Sequence, residues 1–101
     1  MTAAEKLFHE LANEIPDTVE GKMFGALCLK TPNGKSAAMF WKDNIVVKLQ
    51  GDAYNQALSL DGAKLFDPMD GRPMKEWVQI PFACAHAWPE LALLALNYVE
   101  Q

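Results

Sequence analysis

The chain has 101 residues, half of them hydrophobic and 22 % charged, with a formal net charge of −4. This composition fits one globular domain with one core and excludes a disordered chain, which needs low hydrophobicity and high net charge. The longest apolar run, Leu91 to Leu96, is too short to cross a bilayer; a single arginine, Arg72, and scattered lysines offer no basic patch of the kind that grips nucleic acid.

Ala4, Leu7, Phe8, Leu11 and Ile15 recur at helical spacing and predict an amphipathic helix from Thr2 to about Ile15. Thr2 followed by Glu5 is a capping-box pattern, in which side chains satisfy backbone N–H groups that lack helical partners. Pro16 stops the helix by pushing Ile15 out of helical angles. Strands are predicted next, over Met23–Lys30, Lys35–Trp41 and Ile45–Gln50. Thr31-Pro32-Asn33-Gly34 reads as a type I turn closed by a left-handed glycine, and Asp43-Asn44 as a second tight turn. In the third strand Ile45, Val47 and Leu49 share one face and Val46, Lys48 and Gln50 the other, which predicts a sheet covered on one side and wetter on the other.

Asp52 is the expected cap of a short helix ending near Leu60, with Ala53, Ala57 and Leu60 inward and Asp61-Gly62 as the stop. A strand near Ala63–Phe66 follows, then the turn-rich stretch Asp67 to Pro73, and a last strand over Met74–Ile80. Pro81 and Phe82 lead into a closing helix, firmest from Pro89. Its run Leu91-Ala92-Leu93-Leu94-Ala95-Leu96 is apolar on nearly every side, where a helix on a single sheet needs only a stripe. Intramolecular burial is the first reading of that surplus and a subunit contact the second. The expected fold is therefore α+β: one antiparallel meander of about five strands, with N-terminal and C-terminal helices and a short middle helix. No repeat or linker divides residues 1–101 into more than one domain.

The candidates for chemistry are few. Cys28 and Cys84 lie in apolar stretches and read as small buried hydrophobes. No export signal is read in Met1–Leu11, so a disulfide is not expected and the cytoplasm is the expected compartment. Cys84 and His86, two residues apart, form the one arrangement with a reactive look, but the neighbours are alanines and no acid or amide partner is identifiable. His9, Cys28, Cys84 and His86 lack the close ligand pairs of structural zinc sites. The carboxylates sit in turns and helix ends, and no phosphate-binding glycine loop occurs. No catalytic residue, metal ligand or cofactor is expected.

Two stretches stand out: Lys22-Met23-Phe24-Gly25, and Gly71-Arg72-Pro73-Met74-Lys75-Glu76-Trp77. Alternation puts Lys75, Trp77 and Gln79 on one face, opposite Glu76, Val78 and Ile80. Trp77 reads first as core or rim packing and second as a recognition residue.

At these stretches the chain resembles the TfoX (Sxy) N-terminal domain-like family. The matching features are Met23-Phe24-Gly25 after the first helix, Gly34-Lys35 before an apolar strand, and Asp43 before Val47-Lys48-Leu49. Gly71-Arg72-Pro73-Met74, Trp77, and Pro81 before an apolar closing helix complete the similarity, which runs from about Phe8 to Val99. The resemblance implies a helix-flanked antiparallel sheet without enzymatic activity. The competence regulators of bacteria that name the family carry a further C-terminal domain, so it does not imply a regulator's role.

Three functional readings follow. The first is a non-enzymatic interaction domain, self-associating or meeting protein partners through the sheet face, with Trp41 and Trp77, or through the C-terminal helix. The second is a small-ligand pocket near Met23, Phe24, Gly25, Arg72 and Trp77, with Arg72 pairing an acid beside an apolar wall. The third, minor, reading is a thiol enzyme using Cys84 and His86.

Overall fold

A computed structural model describes residues 2–23, 26–67 and 71–100; Phe24, Gly25 and the Pro68-Met69-Asp70 part of the turn-rich stretch lie outside the described residues. Helix α1 spans Ala3–Glu14. Thr2 is its N-cap, with Oγ1 accepting from the Glu5 N–H at 3.1 Å, and extended angles at Ile15 end it ahead of Pro16. Ala4, Phe8 and Leu11 are fully buried and Leu7 and Ile15 pack at the margin, so the predicted stripe is the buried face.

The sheet has six strands, not five: β1 Val19–Met23, β2 Ala26–Lys30, β3 Ser36–Trp41, β4 Asn44–Lys48, β5 Lys64–Phe66 and β6 Met74–Pro81. Every pairing is antiparallel, in the order β1-β2-β3-β4-β6-β5. The meander therefore holds only through β4. The chain then crosses through helix α2, Gly51–Leu58, lays β5 on the outer edge, and returns as β6 between β4 and β5.

The two hairpin turns differ in outcome. The Gly34 N–H donates to Thr31 O at 2.9 Å and Gly34 has φ 88°, the expected left-handed closure. In the second turn the left-handed residues are Lys42 (φ 48°) and Asp43 (φ 64°) rather than Asp43 and Asn44. Trp41 pairs with Asn44 in the ladder, which leaves a two-residue loop, and such loops need positive φ at both central positions. The Asn44 amide instead donates to the Trp41 and Lys42 carbonyls, 3.0 Å each, bracing the turn from its rim. Likewise Asp52 lies within the first turn of α2, and the N-cap is Gln50 without a side-chain hydrogen bond.

One face of the sheet meets the helices. Leu29, Ala38, Ile45, Val47, Val78 and Ile80 pack with α1, Ala57 of α2 and helix α3, Trp88–Glu100. A 3₁₀ segment, Phe82–Ala87, leads into α3. Trp88 is fully buried; its indole N–H donates to Pro81 O at 3.2 Å, and Phe82 meets its ring edge-on at 5.6 Å. The apolar surplus of α3 is spent within the chain: Leu91, Ala92, Ala95, Leu96 and Val99 are buried, and Leu93 alone of the leucine run is exposed.

The opposite face is not the wetter one expected. Cys28, Met39, Val46, Phe66 and Trp77 form a second buried cluster, rimmed by Trp41 and Met74. Cys28, Met39 and Val46 supply the middle strands' share of it, and Trp41 stands edge-on to Phe66 at 5.3 Å. Register slips at Leu29/Lys30 and Leu65/Phe66 mark bulges, which increase twist and bring one face of a sheet in upon itself. No helix among the described residues is long and apolar enough to cross a membrane.

Candidate functional site

At the end of the sheet where β3 and β6 begin and β4 ends, an open-sided groove of about 470 Å³ is lined by Lys35, Ser36, Lys48, Trp77, Tyr98 and Val99. Three strands and the last turn of α3 supply it. Thr31, almost fully buried, sets the first wall: its Oγ1 accepts from the Lys35 N–H at 3.1 Å, and its own N–H donates to Lys35 O at 2.9 Å. The hairpin that the sequence announces by Pro32 and Gly34 thereby presents Lys35 and Ser36 to the groove.

Lys48 and Trp77 are cross-strand partners in the β4–β6 ladder. The Lys48 ammonium lies 5.9 Å from the centroid of the Trp77 ring, within cation–π range. Trp77 is largely buried in the second cluster, so the groove meets its rim rather than a free face. Among the described residues neither Lys35 nor Lys48 has a carboxylate within 4 Å. The Ser36 hydroxyl oxygen is buried without a hydrogen-bond partner among the described residues. An unpaired buried hydroxyl costs about 1–3 kcal/mol, so Ser36 gains from any hydrogen-bonding group that reaches it, as donor or as acceptor.

Glu76 and Tyr98 fix the remaining wall. Glu76 has φ 72° inside β6, a left-handed backbone that glycine adopts more easily. Its carbonyl accepts from the Leu49 N–H at 2.8 Å and its Oε2 from the Tyr98 hydroxyl at 2.7 Å. That hydrogen bond, then burial, then the charge of Glu76 raise the Tyr98 pKa above its ordinary 10.0. Tyr98 thus stays a neutral phenol whose proton is committed to Glu76. Glu76 itself lines a neighbouring apolar cavity with Leu49, Tyr54 and Leu65.

Of the described residues singled out by sequence, Trp77 lines this groove and Arg72 does not. Met23 ends edge strand β1, pairs with Ala26, and stands four places from β6 in the strand order. Arg72 is exposed before β6, and its N–H donates to Asp67 Oδ1 at 3.1 Å. Phe24 and Gly25 lie outside the described residues. Cys28 is buried within the second cluster, and Cys84 is buried with its thiol donating to Asp61 O at 3.3 Å, while His86 is exposed. His9 faces Glu20 of β1 through Nδ1 and Glu5 through Nε2, linking α1 to the sheet edge. No group of three His, Cys, Asp or Glu side chains among the described residues is placed to hold a metal ion.

Sequence reading missed Lys35, Ser36 and Tyr98. Only the order Lys48, then Trp77 on a later strand, hinted at a cationic–aromatic pair, and it becomes visible once the β4–β6 register is known. Compared with protein-family models, characterised proteins and solved structures, the chain matches none.

Proposed function

We propose that this is a non-enzymatic binding domain that takes a small acidic ligand in the groove between Lys35, Lys48 and the end of α3. The observation that carries it is the conjunction around one cavity of two lysines and a buried Ser36 hydroxyl that have, among the described residues, no carboxylate and no hydrogen-bond partner respectively. The volume lies within the roughly 300–1,000 Å³ typical of ligand pockets, and its lining is more polar than most, as a groove for a charged ligand requires. The chain is acidic overall, so the two cations act locally and do not make a nucleic-acid surface. The TfoX N-terminal domain-like resemblance agrees with this reading in implying a domain without an enzyme's site, and the cytoplasm remains the proposed compartment.

Thermal unfolding in the presence of ligand series tests it, since a ligand bound only by the folded state raises the midpoint, by an amount that grows with the logarithm of its concentration above Kd. Aromatic and aliphatic acids should stabilise the protein and their neutral alcohols should not, and the Lys35→Ala/Lys48→Ala double variant should lose the response. Equal shifts with neutral analogues would refute the reading.

A second reading, self-association or docking of a protein partner on α3, is favoured by one observation. Leu93 is 47 % exposed beside a hollow of about 220 Å³ that it lines with Ile15, Pro16 and Leu96. Light scattering of the wild type and of Leu93→Asp tests it: a mass above the monomer that falls in the variant supports the contact, and a monomer throughout removes self-association.

A further inference from the structure

Resting on the binding reading above, we propose that the ligand is an organic phosphomonoester, with its phosphate among Lys35, Lys48 and Ser36 and its organic part along Val99 and the rim of Trp77. The donor set distinguishes phosphate from carboxylate. A carboxylate is planar and best matched by the two-pronged guanidinium of arginine, whereas lysine is a compact point charge with rotatable donors. The groove has lysines and no arginine; Arg72 does not line it. A phosphomonoester carries about −1.5 to −2 charges at neutral pH and three acceptor oxygens. Two ammonium groups balance that charge, and with the Ser36 hydroxyl they supply three separate donors.

The other groups at the groove fit the same ligand. The Ser36 hydroxyl can donate to a phosphate oxygen, and it is the two ammonium groups, not Ser36, that disfavour an amine or another cation. The Tyr98 proton is held by Glu76, which removes the tyrosine as a further donor and keeps that carboxylate occupied at the groove's edge. Val99 and the edge of the indole form the apolar side, and the open side gives the organic part room to reach solvent.

Calorimetric titration of the full chain with phenyl phosphate, phenylacetate and inorganic phosphate tests this. Phenyl phosphate should bind at least about tenfold more tightly than phenylacetate, the weight of one charge-assisted hydrogen bond. Lys35→Ala and Lys48→Ala should each weaken phenyl phosphate by about tenfold. Ser36→Ala should weaken it by a smaller factor while leaving the circular dichroism spectrum intact and the unfolding midpoint unchanged or raised, because it removes a buried hydroxyl that has no partner among the described residues. If phenylacetate binds as tightly and still depends on both lysines, the phosphomonoester assignment fails and the acidic-ligand groove stands. Inorganic phosphate binding as tightly as phenyl phosphate would remove the organic half of the proposal. If no acid binds at millimolar concentration, both readings fall.

Discussion

The Tyr98 hydroxyl donates to Glu76 Oε2 at 2.7 Å, and this bond ties the last turn of α3 to a β6 residue held at φ 72°. A helix end frays unless something fixes it, and here the anchor also forms one wall of the groove. Tyr98 acts as a positioning residue, and its consequences are measurable.

The first concerns alkaline stability. The Tyr98 pKa lies above 10.0 in the folded chain because of the Glu76 bond, burial and the Glu76 charge. The folded state therefore holds this proton more tightly than the unfolded state does. The resulting stability is complete below about pH 10 and is lost as pH rises through the folded-state value. Tyr98→Phe should melt lower than wild type at pH 8 and lose less on going to pH 11; parallel losses in the two proteins would show that Tyr98 is not the titrating group.

Glu76 itself should respond to backbone as well as side-chain change. A non-glycine residue in the left-handed region costs of order 1–3 kcal/mol. Glu76→Val, β-branched and unable to accept from Tyr98, should lower stability by about 2 kcal/mol or more in urea unfolding. Glu76→Gly gives back the backbone strain while losing the acceptor, so its midpoint should lie above that of Glu76→Val.

Trp88 is the largest fully buried side chain. Trp88→Ala should cost about 3–5 kcal/mol, a large share of the roughly 5–15 kcal/mol that holds a domain together. Broad or absent cooperative unfolding by circular dichroism is the expected result. Trp88→Phe keeps most of the volume but removes the indole donor to the Pro81 carbonyl, and should cost about 1–3 kcal/mol.

The opposite expectation applies to Leu93, exposed on α3. Leu93→Asp should change stability by no more than about 0.5 kcal/mol, so a large loss in urea unfolding would mean that its side chain packs against something in solution.

Local physics was legible in the sequence wherever one element decided its own form. The α1 stripe with its Thr2 cap, the Gly34 turn and β6 all lie where periodicity and turn chemistry put them. Strand β1 was not legible: Val-Glu-Gly-Lys-Met alternates, but its middle apolar position is a glycine and only two apolar side chains mark the face, and as an edge strand it leaves Val19 half exposed. The second buried face was hidden for a different reason. Lys48 and Gln50 alternate with Val46 as on a wet face, and only long-range closure of Phe66, Trp41 and Trp77 over the middle strands dries it. The groove depends on the same kind of information. Ser36 is an ordinary residue in the sequence; it becomes chemically demanding because a bulged pairing buries its hydroxyl beside Lys48 and Tyr98, which come from distant segments.

The most direct measurement is an amide and indole NMR titration of the labelled protein with phenyl phosphate. Saturable shifts should concentrate at Lys35, Ser36, Lys48, the Trp77 indole and Val99, and should vanish in the Lys35→Ala/Lys48→Ala variant. Saturable shifts gathered around Leu93 or Cys84 instead, or shifts unchanged by removal of both lysines, would contradict the account.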